Sequence, residues 1–330
     1  MLHSTLTTLN AVSLILETLR EEGIAASELL AGSGIEEADL IRPDPRITTA
    51  QEARVCANAL ALRETFGLQL GQRMHVSAYG LLGYAMLLSD TLGAALELAL
   101  RYPALLGTLF DLRLEVRGDV AWLLATQYHS RPELAVFNAE LCLGSLKVIC
   151  DDLLGRPLPL LQACFAHPAP TYSKRYRRNF PCPVRFEAHE HGFAFAAQML
   201  EQPLPLADRL THRIMAERCR QQNAEFSGRQ AWLGRIRQYL AEHLANPPGL
   251  EGLARQMNCS ARSLRRHLHD MGSSYQELLD ALRFERAKVL LVEQQWPVQQ
   301  VAEALGYSET ASFRHAFIRW SGVAPSQYRT

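Results

Sequence analysis

Apolar residues recur with two different periods along this chain, and the change of period divides it. Near the N-terminus Leu9, Val12, Leu16 and Leu19 fall three and four apart, which predicts a helix ending near Gly23. Thr49-x-x-Glu52 has the form of a reciprocal helix cap and predicts an Ala/Leu-rich helix to about Phe66. Thr91 is placed to cap another helix, through about Leu106. The period then drops to two. Leu112, Leu114 and Val116 alternate, Gly118-Asp119 turns the chain, and Val120, Trp122 and Leu124 alternate again, a β-hairpin pattern. An apolar helix is predicted from Glu133 to Leu154, with shorter strands at Leu160–Ala166, Val184–Glu187 and Phe193–Ala196. Pro203 and Pro205 mark a boundary. A helix from about Leu206 to Cys219 carries Leu206, Leu210 and Ile214 on one stripe, and the polar residues through Gly228 read as a linker.

From Trp232 onward the pattern is helical alone. The expected architecture is an α+β N-terminal domain (1–220), a linker (221–231) and an all-α C-terminal domain (232–330). Inside the C-terminal domain a pair of segments repeats. Leu250-Glu-Gly-Leu-Ala-Arg-Gln-Met-Asn-Cys-Ser260 precedes Leu264 and Leu268; Val298-Gln-Gln-Val-Ala-Glu-Ala-Leu-Gly-Tyr-Ser308 precedes Phe313 and Phe317. Each matched position suits a helix-turn-helix. Ala254 and Ala302 are small enough for two helices to cross closely. Asn258 and Gly306 tolerate a positive φ in the turn. Ser260 and Ser308 are good N-caps for the second helix. The apolar pairs four apart face inward, so Arg262, Ser263, Arg265, Arg266 and His267 face outward in the first unit, and Thr310, Ser312, Arg314 and His315 in the second. Arginine can read guanine edges and neutralise phosphate, and Ser and Thr can contact bases or backbone. Between the units, Leu278, Leu279, Leu282, Ala287, Leu290 and Leu291 predict a helix over Tyr275–Glu293. About twenty helical residues span roughly 30 Å, near the ~34 Å between successive major-groove turns.

Charge supports this division. The whole chain carries 34 Lys/Arg and 34 Asp/Glu. Residues 229–330 hold 13 basic against 9 acidic side chains, and residues 1–228 hold 21 against 25, so the basic surplus lies at the helix-turn-helix end. No apolar run approaches the ~18–20 residues of a membrane span, and no charged start followed by an apolar block precedes Asn10, so a cytoplasmic protein is expected. The seven cysteines are odd in number, scattered and free of C-x-x-C, which predicts buried small side chains rather than disulfides or a zinc cage.

Other candidate chemistry is sparse. His189-Glu190-His191 lacks a partner cluster and reads as a solvated loop before a strand. In Tyr172-Ser-Lys-Arg-Tyr-Arg-Arg178 the two tyrosines can pack inward with the cations outside, and Asp151-Asp152 reads as a solvated helix end. No nucleophile elbow, phosphate loop, zinc-protease helix or paired-carboxylate motif occurs, so no catalytic residue, metal or cofactor is expected.

The second unit and its tail carry a more specific pattern: Val301-Ala302, Leu305-Gly306-Tyr307-Ser308, Ser312-Phe313, Ala316-Phe317, Trp320, Gly322, Pro325, Tyr328 and Arg329, together with Leu282-Arg283-x-x-Arg286-Ala287-x-x-Leu290-Leu291. In these residues the C-terminal hundred positions resemble the AraC/XylS family of bacterial transcription regulators. The resemblance implies a seven-helix domain that sets both recognition helices in the major groove. It implies Arg262, Arg265 and Arg266, then Thr310, Ser312 and His315, as base readers, and Arg314 and Arg319 on the DNA backbone. Ala311 departs from the polar residue sometimes found there. Arg283 and Arg286 are implied to anchor the linker helix. Some domains of this type are fused to a repair methyltransferase with a reactive cysteine before His-Arg; Cys182 is followed by Pro183-Val184 instead.

Residues 10 to 220 resemble, on Tyr79-Gly-Leu-Leu-Gly-Tyr84, Phe165-Ala-His-Pro168, Phe180-x-x-Pro183-Val-x-Phe186 and Leu204-Pro205, the arabinose-binding-like sensor domain of the family's ornithine-utilisation-regulator branch. This implies a regulator, more commonly an activator, that binds promoter DNA and RNA polymerase and responds to a small-molecule effector. The Leu206–Ile214 stripe is the candidate for a homodimer contact or for relaying the signal, with core packing inside the protomer as the equal alternative. The effector-binding residues stay open. Two alternatives are an N-terminal domain that binds a protein partner, and a DNA-targeted fusion enzyme.

Overall fold

A computed structural model describes residues 6–41, 46–63 and 65–328, and the chain divides after Phe226 into two units. The first begins with β1 (Leu6–Thr8), α1 (Asn10–Arg20), a single turn α2 (Ala26–Leu29) and β2 (Arg46–Thr48), which pairs antiparallel with β1. Then come α3 (Thr49–Leu62), α4 (Phe66–Arg73), α5 (Gly80–Leu87), α6 (Leu92–Arg101) and the turn α7 (Pro103–Leu106). The hairpin β3 (Asp111–Arg117) and β4 (Val120–Thr126) leads to α8 (Ala135–Leu154), β5 (Leu160–Cys164), the turn α9 (Tyr176–Asn179), β6 (Val184–Arg185) and β7 (His191–Ala196). These later strands form one sheet in the order β3-β4-β7-β5-β6, antiparallel throughout except for the β5–β6 pair.

Two apolar cores fill this unit. One lies around α5, α6, α8 and the inner face of the sheet; the other joins α1 and α3 to Phe66, Leu70 and Phe137. In the hairpin, Leu114 faces Leu123 and Leu112 faces Ala125, so the inward set on β4 is Ala121, Leu123 and Ala125. Two helices approach closely where side chains are missing. A Cβ on Gly71 of α4 would lie 3.0 Å from the Cα of Gly144 on α8, and one on Gly144 would lie 3.1 Å from the Cα of Gly71.

Several expectations shift. The reciprocal cap of α3 belongs to Thr48 and Gln51: Gln51 N donates to Thr48 Oγ1 at 3.2 Å, and Thr48 N donates to Gln51 Oε1 at 2.9 Å. Glu52 is therefore released from capping and is buried. Thr91 does cap α6, its Oγ1 accepting from Ala94 N, but the helix stops at Arg101 because Pro103 cannot continue it. His191 is not in a solvated loop. It opens β7, with its Nδ1 accepting from Ala166 N and its ring among Phe110, Phe165 and His167, and burial pushes its pKa down to about 4. Asp151 and Asp152 are likewise engaged, Asp151 accepting from Leu158 N and Asp152 from Val76 N. Tyr176 is buried and Tyr172 half-buried; both phenols donate to Glu140, while Lys174, Arg175, Arg177 and Arg178 are exposed. All seven cysteines are free thiols.

The helix expected to end near Cys219 runs on as α10 (Arg209–Glu242), so residues 221–231 are helical. Their polarity reflects a mostly solvated helix surface, with Phe226 buried. Beyond it the second unit contains α11 (Leu250–Gln256), α12 (Ala261–Asp270), α13 (Tyr275–Lys288), α14 (Val298–Ala304) and α15 (Thr310–Ser321). With α10 these are six α-helices among the described residues, against the seven implied by resemblance; residues 325–328 form only a turn. The helix after α12 extends over the expected range but winds its last turn, Val289–Glu293, as a π-helix. The core here gathers Leu279, Leu290, Leu291, Val301, Leu305, Phe313 and Phe317. No helix of the described residues is long and apolar enough to cross a membrane.

Candidate functional site

The pair α11–α12 is built as the repeat requires. Leu253 and Ala254 are buried, the chain reverses through Asn258 at φ +53°, and Ser260 caps α12 by accepting from Ser263 N at 3.1 Å. Leu264 and Leu268 turn inward and are buried. This fixes the outward face. Arg262, Arg265 and Arg266 are exposed there, and among the described residues none is held by an ion pair or a side-chain hydrogen bond. Three guanidinium groups over about one turn, with no internal partner, leave that face ready for anionic or hydrogen-bond-accepting groups. His267 is also exposed, but its ring sits 5.6 Å from that of Trp232, and Ser263 is used by the cap.

The pair α14–α15 repeats the geometry with differences. Val301 and Ala302 are buried and Gly306 turns the chain at φ +75°. A Cβ at Gly306 would meet the carbonyl oxygen of Ala245 at 2.4 Å, so both conformation and space demand glycine. Ser308 does not cap α15. The cap position falls on Glu309, without a side-chain hydrogen bond, because the extra residue in this copy moves the helix start. Ser312, Arg314 and His315 are exposed, with Thr310 half-buried beside them.

Arg319 donates to Asp280 Oδ2 on α13 at 2.8 Å and keeps most of its surface exposed. Arg283, also on α13, is buried and lies 4.6 Å from the centre of the Tyr307 ring, so it anchors the linker helix to the second turn. Arg286 is exposed, and among the described residues its side chain makes no ion pair or hydrogen bond.

Sequence reasoning left the effector site open, and the first unit contains one candidate for it. A cavity of about 50 Å³ lies between α1, α3 and α8, with Glu52, Asn138 and Cys142 in its lining. Burial pushes the Glu52 carboxyl up to about 8. A signal for it existed: Glu52 shares the i, i+3, i+4, i+7 stripe of Val55, Cys56 and Ala59, all buried. An acid on an otherwise inward stripe marks a special position. Among the described residues, no group of three or more His, Cys, Asp or Glu is arranged to hold a metal.

Two helix-turn-helix units on one helical domain, the first presenting unpaired arginines, define a DNA-binding protein. Residues 23–204 match the family model described as the arabinose-binding domain of AraC transcription regulator, and residues 253–330 match a helix-turn-helix domain model. The chain belongs to the AraC family of transcription regulators. It is 34% identical to the ornithine utilization regulator of Pseudomonas aeruginosa, over 96% of this chain and 94% of that one. The HTH-type transcriptional regulator VqsM of the same organism is 29% identical over 80% of this chain and 83% of its own length. Among solved structures, the transcriptional regulator CdpR from Pseudomonas aeruginosa aligns over 97% of this chain and 98% of that one, at 24% identity and a TM-score of 0.49.

Proposed function

We propose that this regulator is a cytoplasmic, one-component transcription activator that reads its promoter chiefly with α12. The observation that carries the reading is the row of Arg262, Arg265 and Arg266, exposed and unpaired above the buried Leu264 and Leu268. Bidentate guanidinium contacts to guanine O6 and N7 suit these residues. Thr310, Ser312 and His315 read bases from α15. Arg314 contacts phosphate, and Arg319, braced by Asp280, turns its remaining N–H groups to the backbone.

A small metabolite bound in the N-terminal unit controls promoter occupancy or contact with RNA polymerase. The ligand must prefer one conformation, since equal affinity for both shifts nothing. The cavity in this unit favours a metabolite over a protein as the sensed partner. Leu206, Leu210 and Ile214, which are 60%, 63% and 50% exposed, are the homodimer contact in this reading.

Genome-wide occupancy of the tagged protein supplies the operator, and gel-shift titration then tests the readers. Arg265→Ala and Arg266→Ala are each expected to weaken specific binding by about 1–3 kcal/mol while leaving non-specific binding much less affected. Unchanged operator affinity in both variants would remove α12 from base reading.

A further inference from the structure

The cavity in the first unit is apolar on most of its wall, with Met74, Leu106, Phe110, Leu141 and Leu146 among its lining. Three of its polar wall groups are already engaged. Thr108 Oγ1 donates to Phe110 O, Asn138 Nδ2 donates to Tyr128 Oη at 2.7 Å, and Ser145 Oγ donates to Cys142 O at 2.9 Å. Glu52 is different. The residue is 4% exposed, and its Oε2 makes no hydrogen bond of normal geometry; the buried Thr7 hydroxyl lies beside the carboxyl and is equally unmet. An unmet buried carboxyl oxygen is costly, so an arrangement that keeps one at the wall of a cavity points to a donor that arrives from outside.

The lining contains no Lys, Arg or His. A ligand carboxylate or phosphate would find no cation there and would face Glu52. An uncharged alcohol could donate only one hydrogen bond and would leave Glu52 protonated. A primary ammonium supplies both charge and several N–H donors. Room is limited. At roughly 10–15 Å³ for each water-sized group, the cavity takes about four such groups.

We infer that this cavity binds a short-chain alkylammonium ligand, its cationic head on Glu52 and its carbon chain along the apolar wall. The inference rests on reading the N-terminal unit as an effector sensor and names the chemistry of the effector. The titratable groups around Glu52 are Cys56 on its own helix, Tyr128 after β4, and Tyr79 and Cys142 at the wall; burial raises the pKa of each, so all stay neutral near pH 7. Empty, Glu52 is mostly protonated at that pH. Binding then converts the Glu52 carboxylic acid to a carboxylate paired with the ligand's ammonium. One proton passes to the buffer, and no bond in the ligand changes.

The test is calorimetric titration of the full chain with n-alkylamine hydrochlorides from ethyl to hexyl, against 1-butanol and butyrate, in buffers of different ionisation enthalpy at pH 7. A short amine is expected to bind at least tenfold more tightly than either control and to release close to one proton. Glu52→Gln keeps the volume but is expected to lose at least tenfold in amine affinity and all of the proton release. Ala11→Leu keeps the acid and fills the cavity from α1, and is expected to abolish binding. Failure of every amine to bind, equal binding of 1-butanol, or unchanged amine affinity in Glu52→Gln overturns the inference. Promoter titration of the same samples separates the two readings. Amine binding with unaltered promoter affinity supports the cavity assignment and removes effector control of DNA binding. Intact promoter binding without amine binding removes the ligand chemistry alone.

Discussion

At the scale of single residues, the buried ionisable groups of the first unit impose a pH dependence whose sign differs between them. Burial holds Glu52 at about 8 and Glu140 at about 7, both above the ordinary carboxyl value of 4.5. The unfolded chain ionises them first, so their contribution is fully present below about 4.5 and is lost as pH rises through the folded values. His191 acts in the other direction. Held at about 4 by burial, it favours the unfolded chain below the ordinary histidine value of 6.5 and ceases to do so above it. The two effects oppose each other between about 4.5 and 6.5. From 6.5 to 8 the Glu52 contribution dominates this set. The melting temperature of the wild-type protein is expected to fall over that interval, and that of Glu52→Gln to fall much less; a parallel decline in the two proteins would show that Glu52 is not buried as an acid.

At the scale of elements, the two helix-turn-helix units look alike in sequence but are held differently. Ser260→Ala is expected to cost about 1 kcal/mol because a cap is lost, whereas Ser308→Ala should change stability by only a few tenths. Gly306→Ala should cost more than about 1 kcal/mol, since it adds a clash with Ala245 to an unfavourable φ. Chemical denaturation of the three variants ranks them. The repeat was legible because turn and core residues recur at fixed spacing; the role of Ser308 was not, because one inserted residue moves the cap without disturbing the apolar positions. The same one-residue ambiguity placed the cap of α3 on Thr49, where Thr48 and Gln51 could satisfy the pattern equally well. The β1–β2 pair escaped notice because three-residue strands carry too little alternation to register. Exposed polarity from 221 to 231 resembled a linker because a solvated helix with few inward residues has the composition of a loop. The cavity was illegible for another reason: its wall comes from segments as distant as Ala11 and Leu146, and only the fold joins them.

At the scale of the whole molecule, each unit has its own apolar core. A fragment of residues 209–330, which keeps α10 intact, is therefore expected to unfold cooperatively and to bind the operator in a gel shift without any response to alkylamine. Loss of cooperative unfolding in circular dichroism would show that its core needs the first unit. The larger unit is constrained in another way, through the meeting of Gly71 with Gly144. Most packed pairs can drift across generations by exchange, one side gaining a carbon as the other sheds one. Here neither side has a carbon to shed. No single step at either position can be offset at the other, so relatives that keep this crossing are expected to keep both glycines while the wall around them varies.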